Sequence, residues 1–256
     1  MVLEFRSVTK EFTGRTGDFL TAVKDISLGV KEGEFVSVVG PSGCGKSTLL
    51  SMTAGLYQPT RGEVLVSDRP VTGPNAHVGF MLQKDLLLPW RNIVENIEFG
   101  LEARGVAKAE RRDRAIAEMR RCHLEGFENH YPYQLSGGMR QRAALARTLA
   151  IDPEIILLDE PFSALDAQTK LILQNSFAGT IAESAKTTLL ITHDLSEAVL
   201  MSDRIIVLSE RPGSIVAEIV IDLPHRDQPL KRRVMSEVND YAAQIFRHLR
   251  LEEKAA

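Results

Sequence analysis

An α/β fold with a helical block set into it is what the sequence predicts, from three features. Short, nearly all-apolar runs recur at Phe35–Val39, Ile155–Leu158, Thr188–Thr192 and Ile205–Leu208, the mark of strands buried on both faces. A helical period replaces them from about Arg91 to Ala150. A Gly-rich turn joins the first apolar run to a helix-forming stretch. The 256 residues allow one large domain or two small ones, with a sizeable core in either case. With 44% hydrophobic, 25% charged and 6% aromatic residues, the composition is that of an ordinary globular protein. The net charge of −3 argues against bulk binding of nucleic acid, which favours a clustered basic surface. No apolar run approaches the ~18 residues of a spanning helix.

Along the chain, Val2–Val8 alternates, with Val2, Glu4, Arg6 and Val8 on one face and Leu3 and Phe5 on the other. Its start lacks the charged head and long apolar stretch of a secretory signal, so a cytoplasmic chain is expected. Strands are predicted at Glu63–Ser67 and His77–Gln83, with Gly and Pro between them. Ile93, Ile97 and Leu101 recur at helical spacing, and Ala107–Arg121 is rich in Ala, Glu and Arg. Two cysteines, Cys44 and Cys122, make neither a disulfide framework nor a metal set. After Pro229, Leu230, Val234, Val238, Tyr241, Ile245 and Leu249 form one stripe of an amphipathic helix. Its basic start, Lys231-Arg232-Arg233, reads as a partner or lipid patch, or as the solvated face of a helix docked on the core; the second is favoured.

The turn Gly40-Pro41-Ser42-Gly43-Cys44-Gly45-Lys46-Ser47-Thr48 fits G-x-x-x-x-G-K-[ST], with a strand before it and a helix after it. Glycines let several backbone N–H groups converge on phosphate oxygens, and the helix N-terminus adds partial positive charge. Lys46 is expected to reach the β- and γ-phosphates of ATP, and the Ser47 hydroxyl to hold Mg²⁺. Cys44 reads as a small filler. The matching second half is Ile155-Ile156-Leu157-Leu158-Asp159-Glu160, an apolar strand ending in acids on the crevice side of the sheet. Asp159 is expected at the Mg²⁺ site and Glu160 as the base for an attacking water.

Between the halves lies Leu135-Ser136-Gly137-Gly138-Met139-Arg140-Gln141-Arg142, a second helix start with a hydroxyl and bare amides. Two such helix ends beside one Lys-bearing loop suggest that the second serves another subunit's nucleotide. Here the chain resembles the ATP-binding cassette (ABC) family, over residues 1 to about 210, with LSGGMRQR similar to its signature. The resemblance implies a P-loop NTPase (RecA-like) core with an antiparallel β part and an inserted α-helical subdomain. Residues 1–90 and 151–212 would form the core, 91–150 the helical signature subdomain, and 213–256 a C-terminal strand and amphipathic helix, all in one domain. It implies ATP and Mg²⁺ as cofactors. Ser136, Gly137, Gly138 and Gln141 would act in trans on the partner's nucleotide. Gln83 matches the glutamine that senses Mg²⁺ and the attacking water. Ser163-Ala164-Leu165-Asp166 matches the D-loop that crosses to the partner, and His193 the switch histidine at the γ-phosphate. Phe12 matches the aromatic that stacks on adenine, where Tyr is commoner; the competing reading is a strand-end residue in the core.

Leu86-Leu87-Leu88-Pro89-Trp90 holds the single Trp of the chain. With Gly40–Leu50 and the stretch from Arg211-Pro212-Gly213 to Ile221-Asp222-Leu223-Pro224, it resembles cassettes of the nitrate/sulfonate/taurine importer class. Physically, Leu86–Trp90 reads either as a groove for a partner helix or as packing for the helical insert. The resemblance implies an ATP-hydrolysing subunit, homodimeric, bound to two permease subunits at the cytoplasmic face of the membrane. An extracytoplasmic solute-binding protein would feed it a small anion, and no nucleic acid would be bound. The competing function is an ABC ATPase acting on nucleic acid or ribosomes; those usually carry two cassettes or long arms, which this chain lacks. A nucleotide switch without hydrolysis is a further alternative, which Glu160 argues against.

Overall fold

The apolar runs form the middle of a six-stranded sheet. In the computed structural model, which describes residues 1–14 and 18–249, its order is β10 (Ile215–Val220), β9 (Arg204–Leu208), β3 (Phe35–Val39), β8 (Thr187–Ile191), β7 (Ile155–Asp159), β6 (Val78–Met81). All neighbours are parallel except β10, which closes one edge antiparallel to β9. A second sheet is antiparallel, in the order β2 (Phe19–Val30), β1 (Leu3–Thr13), β4 (Arg61–Val66), β5 (Arg69–Pro70).

Alternation along the parallel strands divides the core in two. Val36, Val38, Leu157, Leu189 and Ile206 face the antiparallel sheet and the helix α1 (Lys46–Thr53), where Leu49, Leu50 and Met52 complete the layer. Phe35, Val39, Leu158, Leu190 and Val207 face the other way. The helices on that side are α2 (Ile93–Ala103), α3 (Lys108–Arg121), α4 (Gly137–Ala150), α5 (Ala167–Ser184), α6 (Leu195–Met201), α7 (Pro229–Arg232) and α8 (Glu237–His248). Strands buried on both faces are apolar at nearly every position, which is why these runs carry no alternation, and the buried Ser37 hydroxyl among them is bonded to that of Ser202.

Helix α2 begins at a capping box, Asn92 with Glu95, and buries Ile93, Ile97 and Leu101. Helix α4 begins at Ser136, whose side chain accepts from the Met139 N–H, and buries an alanine-rich face.

Two expectations need correction, and one strand is added. Val8 is buried with Leu3 and Phe5, not opposite them. Ser7 has φ 48°, and the β1/β2 register shifts between Phe5 and Val8, so a bulge turns the strand over. The long strand β2 was not foreseen, because its charged residues and irregular register blur the period-two pattern. The C-terminal stripe is broken into two helices, with Val234 between them largely exposed and only Val238 and Ile245 of the stripe fully buried.

The basic cluster also divides. Arg232 is buried and donates to the carbonyls of Pro224, Leu223, Val199, Leu200 and Ser202, while Lys231 and Arg233 are exposed. It satisfies the last carbonyls of α6 and ties the tail to the core.

Candidate functional site

The loop between β3 and α1 wraps its own lysine. Lys46 Nζ donates to Gly40 O at 2.8 Å and to Pro41 O at 3.0 Å, with the side chain almost fully buried. Gly45, at φ 101°, has no room for a Cβ, which would sit 2.5 Å from Val23 Cγ1. Cys44 Sγ is buried and would lie 2.9 Å from a Cβ on Gly40, so it fills the inside of the loop. Burial pushes its thiol up, away from the reactive thiolate.

Ser47, on the first turn of α1, donates from Oγ to Asp159 Oδ1 at 3.2 Å. Burial raises the Asp159 carboxyl, the Ser47 bond opposes this, and the neighbouring Glu160 charge adds to it. A hydroxyl and a carboxylate side by side are hard oxygen donors of the kind Mg²⁺ takes, and a cation would offset the carboxylate's desolvation. The described residues contain no cluster of three His, Cys, Asp or Glu for a metal. An ion here would therefore draw its remaining ligands from phosphate and water, the usual manner of Mg²⁺.

Glu160 lies just past β7 with φ 48°, its N–H bonded to Ile191 O at 2.9 Å. That left-handed turn swings its side chain out of the strand path, and Oε2 meets His193 Nδ1 at 3.0 Å. Glu160, Lys46, Ser47 and the half-buried Phe12 all line one cavity of about 310 Å³. Phe12 packs edge-on against Tyr57, ring centroids 5.3 Å apart, with the Lys10 ammonium 5.0 Å from its ring centre.

Gln83 is not among these lining residues. Its Nε2 donates to Ser163 Oγ at 2.8 Å, and Ser163 Oγ donates to Glu160 O at 3.0 Å, so it reaches the acid by a relay rather than meeting Ser47 or Asp159. Gln83 instead borders a second cavity, of about 560 Å³, with Leu86, Gly137, Arg140, Gln141 and Leu165. The Ser-Gly-Gly helix start thus sits against the glutamine segment and the 163–166 loop of its own chain. Asp166 caps α5 by accepting from the Thr169 N–H at 3.0 Å. Gln141 is buried, and its amide donates to Gln83 O at 3.2 Å.

Sequence reasoning missed the arginines that hold this segment. Arg140 pairs with Asp85 at 3.1 Å, and Arg147 donates to the carbonyls of Asp85 and Leu86 at 2.6 and 2.7 Å. Their seven-residue spacing on α4, which puts both on one face, was the available signal. Lys170 was also missed. It bonds Asp194 at 2.8 Å and Glu197 at 2.9 Å, fixing the start of α6 beside His193. Burial pulls its ammonium down, and the two carboxylates more than offset this, leaving its pKa raised.

In Leu86–Trp90 the two readings share the segment. Leu87 is buried, and the Asn96 amide brackets Leu88 through its N–H (2.7 Å) and carbonyl (3.1 Å). Leu86 and Trp90 are exposed, Trp90 by 72%, and Trp90 lies at the edge of a surface cavity of about 950 Å³ bordered by Arg91, Glu95, Arg111 and Arg112. No helix among the described residues is long and apolar enough to cross a membrane.

Residues 23–163 match the family model described as ABC transporter. An uncharacterized ABC transporter ATP-binding protein of Methanocaldococcus jannaschii is 47% identical over 250 residues, covering 98% of this chain and 92% of the relative. A taurine import ATP-binding protein of Yersinia pestis is 45% identical over 205 residues, 80% of each chain. Among solved structures, an ATP-binding cassette in a dimeric, post-hydrolysis state bound to ADP and Pi superposes with TM-score 0.74. That match is 35% identical and covers 86% of this chain and 99% of that one.

Proposed function

The chain belongs to the ABC transporter family as an ATP-binding, ATP-hydrolysing subunit, and from that premise we propose that it drives import of a small anion of the taurine, sulfonate or nitrate type. The observation that carries the hydrolytic part is the cavity shared by the Lys46 loop, Ser47 and Glu160, with Asp159 bonded to Ser47 and His193 to Glu160. The likeness to a taurine import subunit supports the importer reading.

In this reading the loop amides from Gly40 to Thr48 and the N-terminus of α1 bind the phosphates of ATP. Lys46 turns from the Gly40 and Pro41 carbonyls toward the β- and γ-phosphates. Ser47 and Asp159 would hold Mg²⁺, which would supply charge neutralisation on the transferring group. Glu160 accepts a proton from a water that attacks the γ-phosphorus as the bond to the β-phosphate breaks. His193, anchored by Glu160 and by the Lys170-braced start of α6, donates to a γ-phosphate oxygen. Gln83 signals through Ser163 to the Glu160 backbone, and Phe12 carries the adenine.

Two copies form the working unit, Ser136, Gly137 and Gly138 of each completing the other's site and Asp166 lying at the crossing. The dimer sits on two permease subunits at the cytoplasmic face, with an extracytoplasmic solute-binding protein as feeder. The exposed Trp90 and Leu86 are the docking anchors. Co-expression with a permease of the taurine-import type should yield a co-purifying complex. Trp90→Ala should reduce its yield at least about five-fold and leave the free subunit's ATPase within about two-fold. Unchanged complex yield, or an unfolded free subunit, would contradict the docking role.

A further inference from the structure

The turn after β9 is pressed onto the phosphate loop from outside. Gly213 N–H donates to Ala22 O at 3.0 Å, and Lys24 N–H donates to Gly213 O at 2.9 Å, which seats the turn on β2. A Cβ on Gly213 would lie 2.0 Å from the Cys44 carbonyl oxygen, so only glycine permits this approach. Within the turn, Ser209 Oγ donates to the Pro212 carbonyl at 3.2 Å and accepts from the Ser214 N–H at 3.0 Å. The turn is therefore braced at both of its partners and internally.

From it Arg211 reaches over the loop. Its Nε donates to Gly43 O at 2.9 Å, and Nη2 lies 2.9 Å from where a Gly43 Cβ would be. The side chain is exposed and lines the same cavity as Phe12, Ser42, Lys46 and Glu160. A guanidinium has five N–H donors, and the bond to Gly43 uses one.

We infer that Arg211 is a further nucleotide-binding residue, whose Nη groups grip a phosphate oxygen of the bound nucleoside di- or triphosphate while Nε stays on Gly43. The inference rests on the ATPase reading of this cavity and adds to it a cation outside the G-x-x-x-x-G-K-S loop. The division of labour follows from the geometry. Lys46 comes from inside the loop, at the start of α1, and Arg211 from its outer rim beside Gly43. The planar fork bonds a carbonyl and a phosphate at once, which a lysine's single ammonium does less well.

The test measures binding of MgADP and of adenosine to the intact chain at two salt concentrations, for the parent, Arg211→Ala, Arg211→Lys and Lys46→Ala. Removing one charge-assisted contact at a solvent-facing site should weaken MgADP about ten-fold. Adenosine, which has no phosphate, should bind Arg211→Ala within about two-fold of the parent, and MgADP binding should lose part of its salt dependence. Arg211→Lys should recover part of the lost affinity. Equal weakening of MgADP and adenosine would show that Arg211 only shapes the loop and would overturn the inference. So would parental MgADP affinity with an unchanged salt response. If Lys46→Ala also binds MgADP as the parent does, the phosphate-site reading of the cavity falls with it.

Discussion

Glu160→Gln separates binding from chemistry. The carboxylate lies 3.0 Å from His193 Nδ1 and in the cavity of the Lys46 loop. A glutamine keeps the size and still offers an oxygen to His193, so the only thing lost is the base. General-base contributions of about 10²- to 10⁴-fold correspond to roughly 3 to 5.5 kcal/mol of barrier. Binding should behave differently. The Glu160 charge raises the carboxyl of Asp159 next to it, so its removal lets Asp159 ionise more readily beside Ser47. MgATP affinity should then hold within about three-fold or improve, because the substitution leaves the Lys46 loop and the Ser47–Asp159 pair in place. Single-turnover release of phosphate gives the chemical step, and equilibrium binding of MgATP gives the other term. The expected pair is hydrolysis slowed by at least about a hundred-fold with binding retained. Hydrolysis within ten-fold of the parent would refute the role of Glu160, and matching losses of both would mean that it shapes the site instead.

Two arginines that bind backbone carbonyls, Arg147 and Arg232, give stability predictions. Arg147→Ala removes two bonds to the carbonyls of Asp85 and Leu86. A loss of about 1.5 kcal/mol and a Tm lower by roughly 3–6 °C are expected. Proteolysis within residues 83–92 should quicken, and an unchanged cleavage rate would deny the tether. Arg232→Met leaves the α6 and 223–224 carbonyls without their donor and should cost on the order of 3 kcal/mol in urea denaturation. Lys231→Ala and Arg233→Ala, both exposed, should change stability by less than about 0.5 kcal/mol; equal losses in all three would contradict the division of the cluster into one buried and two exposed cations.

Much of the fold was legible because the parallel strands are buried on both faces and the helices carry clear stripes. Phe35–Val39 is read to the residue, and Ile155, Ile156, Leu157 and Leu158 all lie in β7. The losses have local causes. The bulge at Ser7 reverses the face of Val8, a backbone event that no alternation pattern encodes. Arg232 looks like surface charge beside Lys231 and Arg233 until the carbonyls of α6 are placed around it.

The site divides in the same way. Lys46, Ser47, Asp159 and Glu160 were legible because a loop and a strand end impose a spacing on them. The structure then brings them together with Phe12 and His193. Arg147, Lys170 and Arg211 were not legible. Their partners are backbone carbonyls or carboxylates from distant segments, contacts created only by the tertiary fold.

The two-chain site is tested most directly by mixing two disabled variants, Lys46→Ala and Gly137→Asp. In one chain the Lys46 loop and the Ser136-Gly137-Gly138 helix start border different cavities. A Cβ on Gly137 meets nothing nearer than Leu165 Cδ2 at 3.6 Å, so aspartate fits and acts through its charge. In a mixed dimer one site carries both lesions and the other carries neither. Light scattering should find each variant alone monomeric with ATP, and the mixture should regain ATP-dependent dimer mass. A mixture that stays monomeric at every ratio and every ATP concentration would contradict the composite site.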